Sequence, residues 1–263
     1  MIWDLLTPKR KSVTYLIIFT FYFLLSACAV INLNKYKGIH LSQSGNDVPT
    51  IIVLLGHPGA GKGTFAQSLK SKAFIHLSIG DFLRNELKNK SDLGLRWKKE
   101  IDAHGILAVD TVKEVTADLI KKISSSESRV YILDGHVRTL EQAKHLNELL
   151  KKNGNIHSIF IFINTDKEKA MQRILDRRTC KKCDYIYNLK SFLSKKDGIC
   201  DHCKTVLDHR STDNKVHARN RIDKYEPHLK ETVEYYKNNN VLIELNGNLP
   251  ISEYILECRT LFD

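Results

Sequence analysis

No internal repeat runs through the 263 residues, which excludes solenoid, propeller and array architectures. Nor does any RNA- or DNA-binding signature accompany the basic residues, although Lys and Arg outnumber Asp and Glu by 41 to 30 and leave a net charge of +11. An excess of that size suits nucleic acid, anionic lipid or polyphosphate. The basic residues are scattered, so they read as a nucleotide site plus lysine-rich solvated faces, with no nucleic-acid partner. Two further gaps are local. Charge is absent from Val13 to Ile31, and the stretch 179–211 holds few large apolar side chains.

The uncharged run has Lys9, Arg10 and Lys11 before it and Lys35 and Lys37 after it. At about 1.5 Å per residue it just spans a bilayer core. Three readings compete: an uncleaved signal anchor, a cleaved secretory signal, and a buried core helix. Leu25-Ser26-Ala27-Cys28 resembles a lipobox and adds a lipoprotein variant of the second. Length favours the anchor, so residues 13–31 are expected to tether the chain to a membrane. Residues 32–48 then read as a polar linker, and 1–49 as anchor plus linker.

The stretch around which the chain is organised begins at Thr50. Ile51 to Leu55 is an apolar, β-branched run, expected as a buried parallel strand. It ends in Gly56-His57-Pro58-Gly59-Ala60-Gly61-Lys62-Gly63-Thr64, a loose match to G-x-x-x-x-G-K-[ST], because Gly63 separates Lys62 from Thr64. Glycines let successive backbone N–H groups turn toward one anion, and the helix that follows adds its positive end. Lys62 supplies a point charge for outer phosphates. This stretch is built to hold phosphate.

Beyond it, strands expected at Phe74–Ser78, Arg129–Asp134, Ile156–Ile163 and Val241–Leu245 alternate with helices. Those helices are expected at 64–73, 81–87, 93–104, 110–123, 141–152, 167–178, 216–237 and 251–261. Such alternation argues for an α/β fold with a parallel sheet flanked by helices. Within the insert at 179–211, Cys180-x-x-Cys183 and Cys200-x-x-Cys203 stand sixteen residues apart. Two such knuckles can bring four thiolates to one tetrahedral, coordinatively closed Zn²⁺. A metal would supply what so small an apolar complement cannot. Two disulfides are the rival reading. His202 has no place on an ion already saturated by sulfur, and Cys258 reads as a buried apolar residue.

Ser78-Ile79-Gly80-Asp81-Phe82-Leu83-Arg84, Leu133-Asp134-Gly135-His136-Val137-Arg138-Thr139 and Gln142 follow the phosphate loop at ordered separations. With these motifs the chain from Thr50 onward resembles the adenylate kinase family. The resemblance implies a P-loop core (50–263), a nucleotide-monophosphate-binding helical region (78–110) and a zinc-type lid (179–211). It also implies a monomeric catalytic domain that transfers the ATP γ-phosphoryl to AMP, giving ADP. ATP would lie on Gly59, Ala60, Gly61, Lys62, Gly63 and Thr64, with Arg173 packed on its adenine. Arg84 and Arg138 would clamp the AMP phosphate, and Ile79, Gly135 and Gln142 would line the AMP site. Arg177, Arg210 and Arg221 would close over the transferring group. Asp134 would order the water shell of Mg²⁺, helped by Asp213. Phosphoryl transfer needs alignment and positive charge more than covalent help, which suits permanently charged, bidentate arginine. A working kinase needs ATP, so the domain is expected on the cytoplasmic side of its membrane; the exported and lipoprotein readings are the alternatives.

The chain departs from the family pattern mainly on the acceptor side. Ile79 stands where Thr is usual, and Ile106-Leu107-Ala108-Val109-Asp110 replaces a more polar segment. Gly135-His136-Val137-Arg138 replaces Gly-Phe-Pro-Arg. A cis bond at a non-proline costs roughly 2.5–4 kcal/mol, so Val137 is expected either to bear that strain or to turn trans and move Arg138. His57 and Thr212 are further departures. Gln142 still favours adenine over pyrimidines.

Overall fold

The computed structural model describes residues 48–69, 74–104, 107–124, 130–154 and 156–262. Its centre is a five-stranded, wholly parallel sheet of β1 (Thr50–Leu55), β2 (Phe74–Ser78), β3 (Val130–Asp134), β4 (His157–Asn164) and β8 (Leu242–Asn246), in the order β2-β3-β1-β4-β8. All six residues of β1 are buried, as expected of a central strand covered on both faces. Alternate β1 residues Ile51, Val53 and Leu55 join Leu133, Leu146, Phe160 and Tyr236 in the main core. There Phe160 and Tyr236 stack with ring centroids 4.2 Å apart.

The helices are α1 (Lys62–Ser68), α2 (Ile79–Lys88), α3 (Asp92–His104), α4 (Val109–Ser124), α5 (Leu140–Lys152), α6 (Lys167–Leu175), α7 (Lys215–Asn238) and α8 (Ile251–Thr260). Ser78 caps α2 by accepting the N–H of Asp81, and Thr139 caps α5 by accepting that of Gln142. Both caps fall where a strand or loop must turn sharply into a helix beside the carboxyl edge of the sheet. The chain leaves β1 with β3 on one side and β4 on the other, so the crevice at the carboxyl ends opens beside the phosphate loop. Ligands of open α/β sheets bind in such a crevice.

Two small lobes attach to this frame. In the first, Ile79, Trp97, Leu107 and Val112 form their own buried cluster. The second carries an antiparallel sheet of β5 (Arg177–Cys180), β6 (Ile186–Asn188) and β7 (Leu207–Asp208), ordered β6-β5-β7. Its buried cluster is only Cys180, Tyr187 and Cys200.

Two expectations are corrected. The helix expected over 167–178 stops at Leu175, and Arg177 opens a strand instead; its alternation serves the small sheet. Membrane anchoring does not stand either. Among the described residues no helix is long and apolar enough to cross a membrane. The longest, α7, carries charged residues along its whole length, which a hydrocarbon core does not accept. The run Val13–Ile31 lies outside the described residues, as do Gly105 and Ile106, and the membrane-anchored, cytoplasmic-side localisation is withdrawn.

Candidate active site

The crevice is built outward from the phosphate loop. Gly59 has φ +84°, and a Cβ there would run into the carbonyl oxygen of Ala170; only glycine allows the loop to lie against α6. The loop carbonyls face protein donors. Lys62 Nζ donates to Gly56 O at 2.8 Å and His57 O at 3.0 Å. Thr165 Oγ1 donates to Ala60 O at 3.1 Å, and Tyr254 OH to Gly61 O at 3.2 Å. Gly61, at the N-cap of α1, makes no side-chain cap, which leaves the first N–H groups of α1 for an anion. Gly63 is explained by its neighbour: a Cβ there would lie 2.6 Å from Ile186 Cδ1 on β6. The small antiparallel sheet thus lies against the loop, and a side chain directly after Lys62 would have to push the end of Ile186 aside.

Seven basic side chains, Lys62, Arg84, Arg138, Arg173, Arg177, Arg210 and Arg221, line this single cleft, with Asp81 and Asp134 among them. Each cation disfavours the others. Burial, with Arg138, Arg221 and Arg177 nearby, outweighs Asp134 and pushes Lys62 down to about 8. Burial with Arg177 and Arg84 pushes Arg210 down to about 9, and burial with Arg177 and Arg138 pushes Arg221 down to about 10. Arginine keeps its charge in proteins, so these directions mark a burial cost first, and a repulsion added to it, that the fold must carry. A polyanion relieves it.

The carboxylates differ. Burial alone would raise Asp134, but His76, Lys62 and Arg138 reverse that and hold it ionised, below the usual carboxylate range. It ends β3 and faces the cleft, with His76 Nε2 3.6 Å from Oδ2. An ionised, cleft-facing carboxylate suits the water shell of a hard cation. Asp213 does not line the cleft. Its side chain is 0% exposed, and Arg177 grips it with Nε at 2.8 Å and Nη2 at 2.6 Å while Arg221 Nη1 lies 3.8 Å away. Both oxygens are committed to arginine, so Asp213 holds the arginines in place and does not fit a Mg²⁺ role.

Arg84 pairs with Asp81, which lies 3.9 Å from Arg210. Arg173 Nη1 donates to Ala60 O at 3.3 Å and so ties α6 to the loop. No cis peptide bond occurs among the described residues, and Val137 is trans. It is 1% exposed within the main core, while Arg138 beside it still reaches the cleft. Gln142 is 3% exposed; its Oε1 accepts the Arg138 backbone N–H at 2.8 Å. Ile79, also buried, packs on Trp97 and Leu107. Neither Gln142 nor Ile79 belongs to the cleft wall. Sequence reasoning missed His76, whose only signal was a polar residue in the middle of the short strand β2.

Above the cleft, Cys180, Cys183, Cys200 and Cys203 put their sulfurs within 4.8 Å of one another. Cys180–Cys203 is 3.2 Å, and Cys183 lies 3.6 Å from both Cys200 and Cys203. A tetrahedral ion with metal–sulfur bonds of about 2.3 Å sets such edges near 3.8 Å. All four face one centre and do not divide into two pairs. His202 is exposed and rests its ring on Tyr185, centroids 4.0 Å apart.

Comparison with known proteins agrees with this geometry. The family model described as adenylate kinase matches residues 54–241. An adenylate kinase of Fervidobacterium nodosum is 36% identical over 203 residues, spanning 77% of this chain and 92% of its own. One from Thermosipho melanesiensis is 38% identical over 208 residues, 78% of this chain and 96% of its own. One from Clostridium tetani is 36% identical over 199 residues, 74% and 90%.

Removing one partner of a buried ion pair strands the other, at a cost of about 3–5 kcal/mol. Asp213→Ala is therefore expected to destabilise the fold by about that amount in urea denaturation at pH 7. A loss under about 1 kcal/mol, the range of exposed pairs, would contradict the role given to Asp213.

Proposed function

Because this chain belongs to the adenylate kinase family, we infer that its cleft catalyses MgATP + AMP ⇌ 2 ADP by direct in-line transfer. The observation that carries this reading is the convergence of Lys62 and six arginines on one crevice at the carboxyl edge of a parallel sheet. Such an array has little to offer covalent chemistry. It can align two polyphosphates and meet charge as it shifts from the donor to the acceptor oxygen.

We assign the roles as follows. The loop from Gly59 to Thr64 holds the donor phosphates with backbone N–H groups, and Lys62, resting on the Gly56 and His57 carbonyls, turns its third N–H to the outer ones. Arg173 backs the donor adenine. Arg84 and Arg138 hold the acceptor phosphate, displacing the Asp81 carboxylate from Arg84. Arg177, Arg210 and Arg221 surround the transferring group, with the first and last held by Asp213. Asp134 is the residue placed to hold the water shell of Mg²⁺. When bound, that ion neutralises charge on the donor phosphates. Water is kept out by the lid strand β6, already against Gly63. Adenine selection by Gln142 requires its amide to act from behind the cleft wall. Buried Ile79 offers no hydroxyl there, so acceptor preference is the property to measure first.

The four sulfurs we assign to a structural Zn²⁺. It would link the two knuckles and do no chemistry, since four thiolates leave no open position. We also propose residues 78–110 as the acceptor-binding region and 179–211 as the lid.

Steady-state transfer from MgATP is expected to favour AMP over CMP, UMP and GMP. Turnover of another monophosphate in preference would redirect the reading to a kinase with an altered acceptor site, and binding of MgATP without any turnover would overturn it. Arg138→Ala is expected to lower kcat by about a hundredfold or more, as loss of a positioned donor does, while MgATP affinity stays within about threefold. Unchanged AMP turnover would remove the acceptor clamp from Arg138.

For the lid, strong chelation under reducing conditions should release about one zinc per chain, as one closed four-thiolate site requires. The melting temperature should fall with it. Protein purified from zinc-replete cells with no bound zinc would refute the staple.

A further inference from the structure

His57 belongs to the phosphate loop but not to the cleft wall. It is 7% exposed, and its Nε2 lies 2.7 Å from Glu226 Oε2 on α7. Glu226 is shared without overlap. Oε1 takes Lys167 Nζ of α6 at 3.3 Å and Lys230 Nζ at 3.4 Å, leaving Oε2 to the imidazole. The edge of the His57 ring also meets Tyr225, with centroids 6.3 Å apart and planes at 88°.

The backbone of the same residue serves the site directly. His57 O accepts from Lys62 Nζ at 3.0 Å and from Ala60 N at 3.0 Å. A side chain anchored to α7 therefore fixes the carbonyl on which the phosphate-loop lysine rests. Arg221 stands five residues before Glu226 on that helix, about 7.5 Å along its axis. Lys62 and Arg221 are thereby set in register through one ion-pair-like contact between loop and helix.

We propose that His57 and Glu226 form a positioning brace that sets the donor-phosphate loop against α7, and that loss of the neutral imidazole releases it. This rests on the kinase reading for the identity of the donor, but not for the brace itself.

The tautomer follows from the partners. Nε2 faces a carboxylate, so it carries the proton; Nδ1 is buried with no hydrogen-bond partner. Protonation would place a second N–H at Nδ1 with nothing to accept it. It would also add charge beside Lys62 and Lys167. The groups facing the ring are Glu226 and Tyr225 of α7, Lys167 of α6 and Lys62 of α1, with Lys230 on the far oxygen of Glu226. Burial together with the two facing lysines outweighs Glu226 and lowers the imidazole from its ordinary value. A depressed folded-state value means that the brace is fully present above about pH 6.5, the unfolded value, and is lost as pH falls through the lower folded one.

The test uses the full chain in two ways. Imidazole ¹⁵N spectra without nucleotide should show His57 as the Nε2–H tautomer at pH 7, titrating below about 6.5. An Nδ1–H tautomer or an imidazolium at pH 7 would overturn the proposal whatever the protein catalyses. Calorimetric MgATP binding should weaken about tenfold in His57→Ala at pH 7.5, less than the hundredfold that about 1 Å of misplacement can cost. His57→Gln keeps a neutral donor and should recover binding to within about threefold of the parent. It should also abolish the parent's weakening as pH falls below about 6.5. A merely structural role would let Gln fail like Ala, or leave the acid dependence unchanged; either result, or Ala binding like the parent, overturns the brace. A parent that binds MgATP but phosphorylates no monophosphate defeats the kinase reading and leaves the brace to be judged by these same titrations.

Discussion

Like charge gathered at one edge of a sheet is the constraint on which this molecule turns. Lys62, Arg138, Arg177, Arg210 and Arg221 come from the phosphate loop, the end of β3, the start of β5, the β7 exit and α7. No local pattern would put them together, and burial penalises Lys62, Arg210 and Arg221. The fold holds them by a few committed anions. Asp213, sealed at 0% exposure, fastens Arg177 and Arg221. Asp134 sits ionised beside Lys62 and Arg138. Asp81 takes Arg84. The remaining excess of positive charge is the affinity of the cleft, since a polyphosphate entering it is attracted and also relieves repulsion already present.

The frame was largely readable because its signals are local. The run Ile51–Leu55 is apolar at every position, as a strand buried on both faces must be, and β1 is that strand. The phosphate loop announces itself through glycine, and the close approach of Ala170 to Gly59 shows why. What escaped the sequence depends on partners far along the chain. Arg177 reads as the tail of a helix because Lys167–Leu175 is one; only pairing with Asn188 draws it into a strand. Asp213 becomes a metal helper only through the family resemblance, which carries no information on its partners here. Its burial against Arg177, thirty-six residues away, has no sequence signature. His57 reads as an oddity in a glycine loop until Glu226 is found beside it, and that residue is carried by a helix more than 150 positions later.

The small antiparallel sheet shows the same division between chemistry and packing. Its buried cluster is three residues, two of them cysteine, and burial at about 25 cal/mol per Å² gives little from so few. Hydrogen bonds help: Tyr187 OH donates to Cys200 Sγ at 3.6 Å and accepts the Asp201 N–H at 2.8 Å. Yet Ile186, on the strand between the knuckles, lies against Gly63 of the phosphate loop, and it and Tyr187 line the cleft. A sheet this small must be rigid if it is to exclude water from a reacting phosphoryl group, so the four sulfurs stand where side-chain burial runs out.

Departures on the acceptor side then have a common physical reason. Ile79 and Val137 are apolar where the family pattern has a hydroxyl and a proline, and both are buried, Ile79 with Trp97 and Leu107, Val137 in the main core. Each substitution exchanges a feature of recognition or backbone geometry for packing. Arg138 nevertheless keeps its place in the cleft, because its backbone N–H is held by Gln142 Oε1 and Gln142 is fixed in turn by the Thr139 cap. The backbone of Arg138 is thus held from α5. With Val137 trans, Arg138 still lines the cleft. Arg84 and Arg138 still line the cleft, while Ile79 and Gln142 lie buried outside its wall.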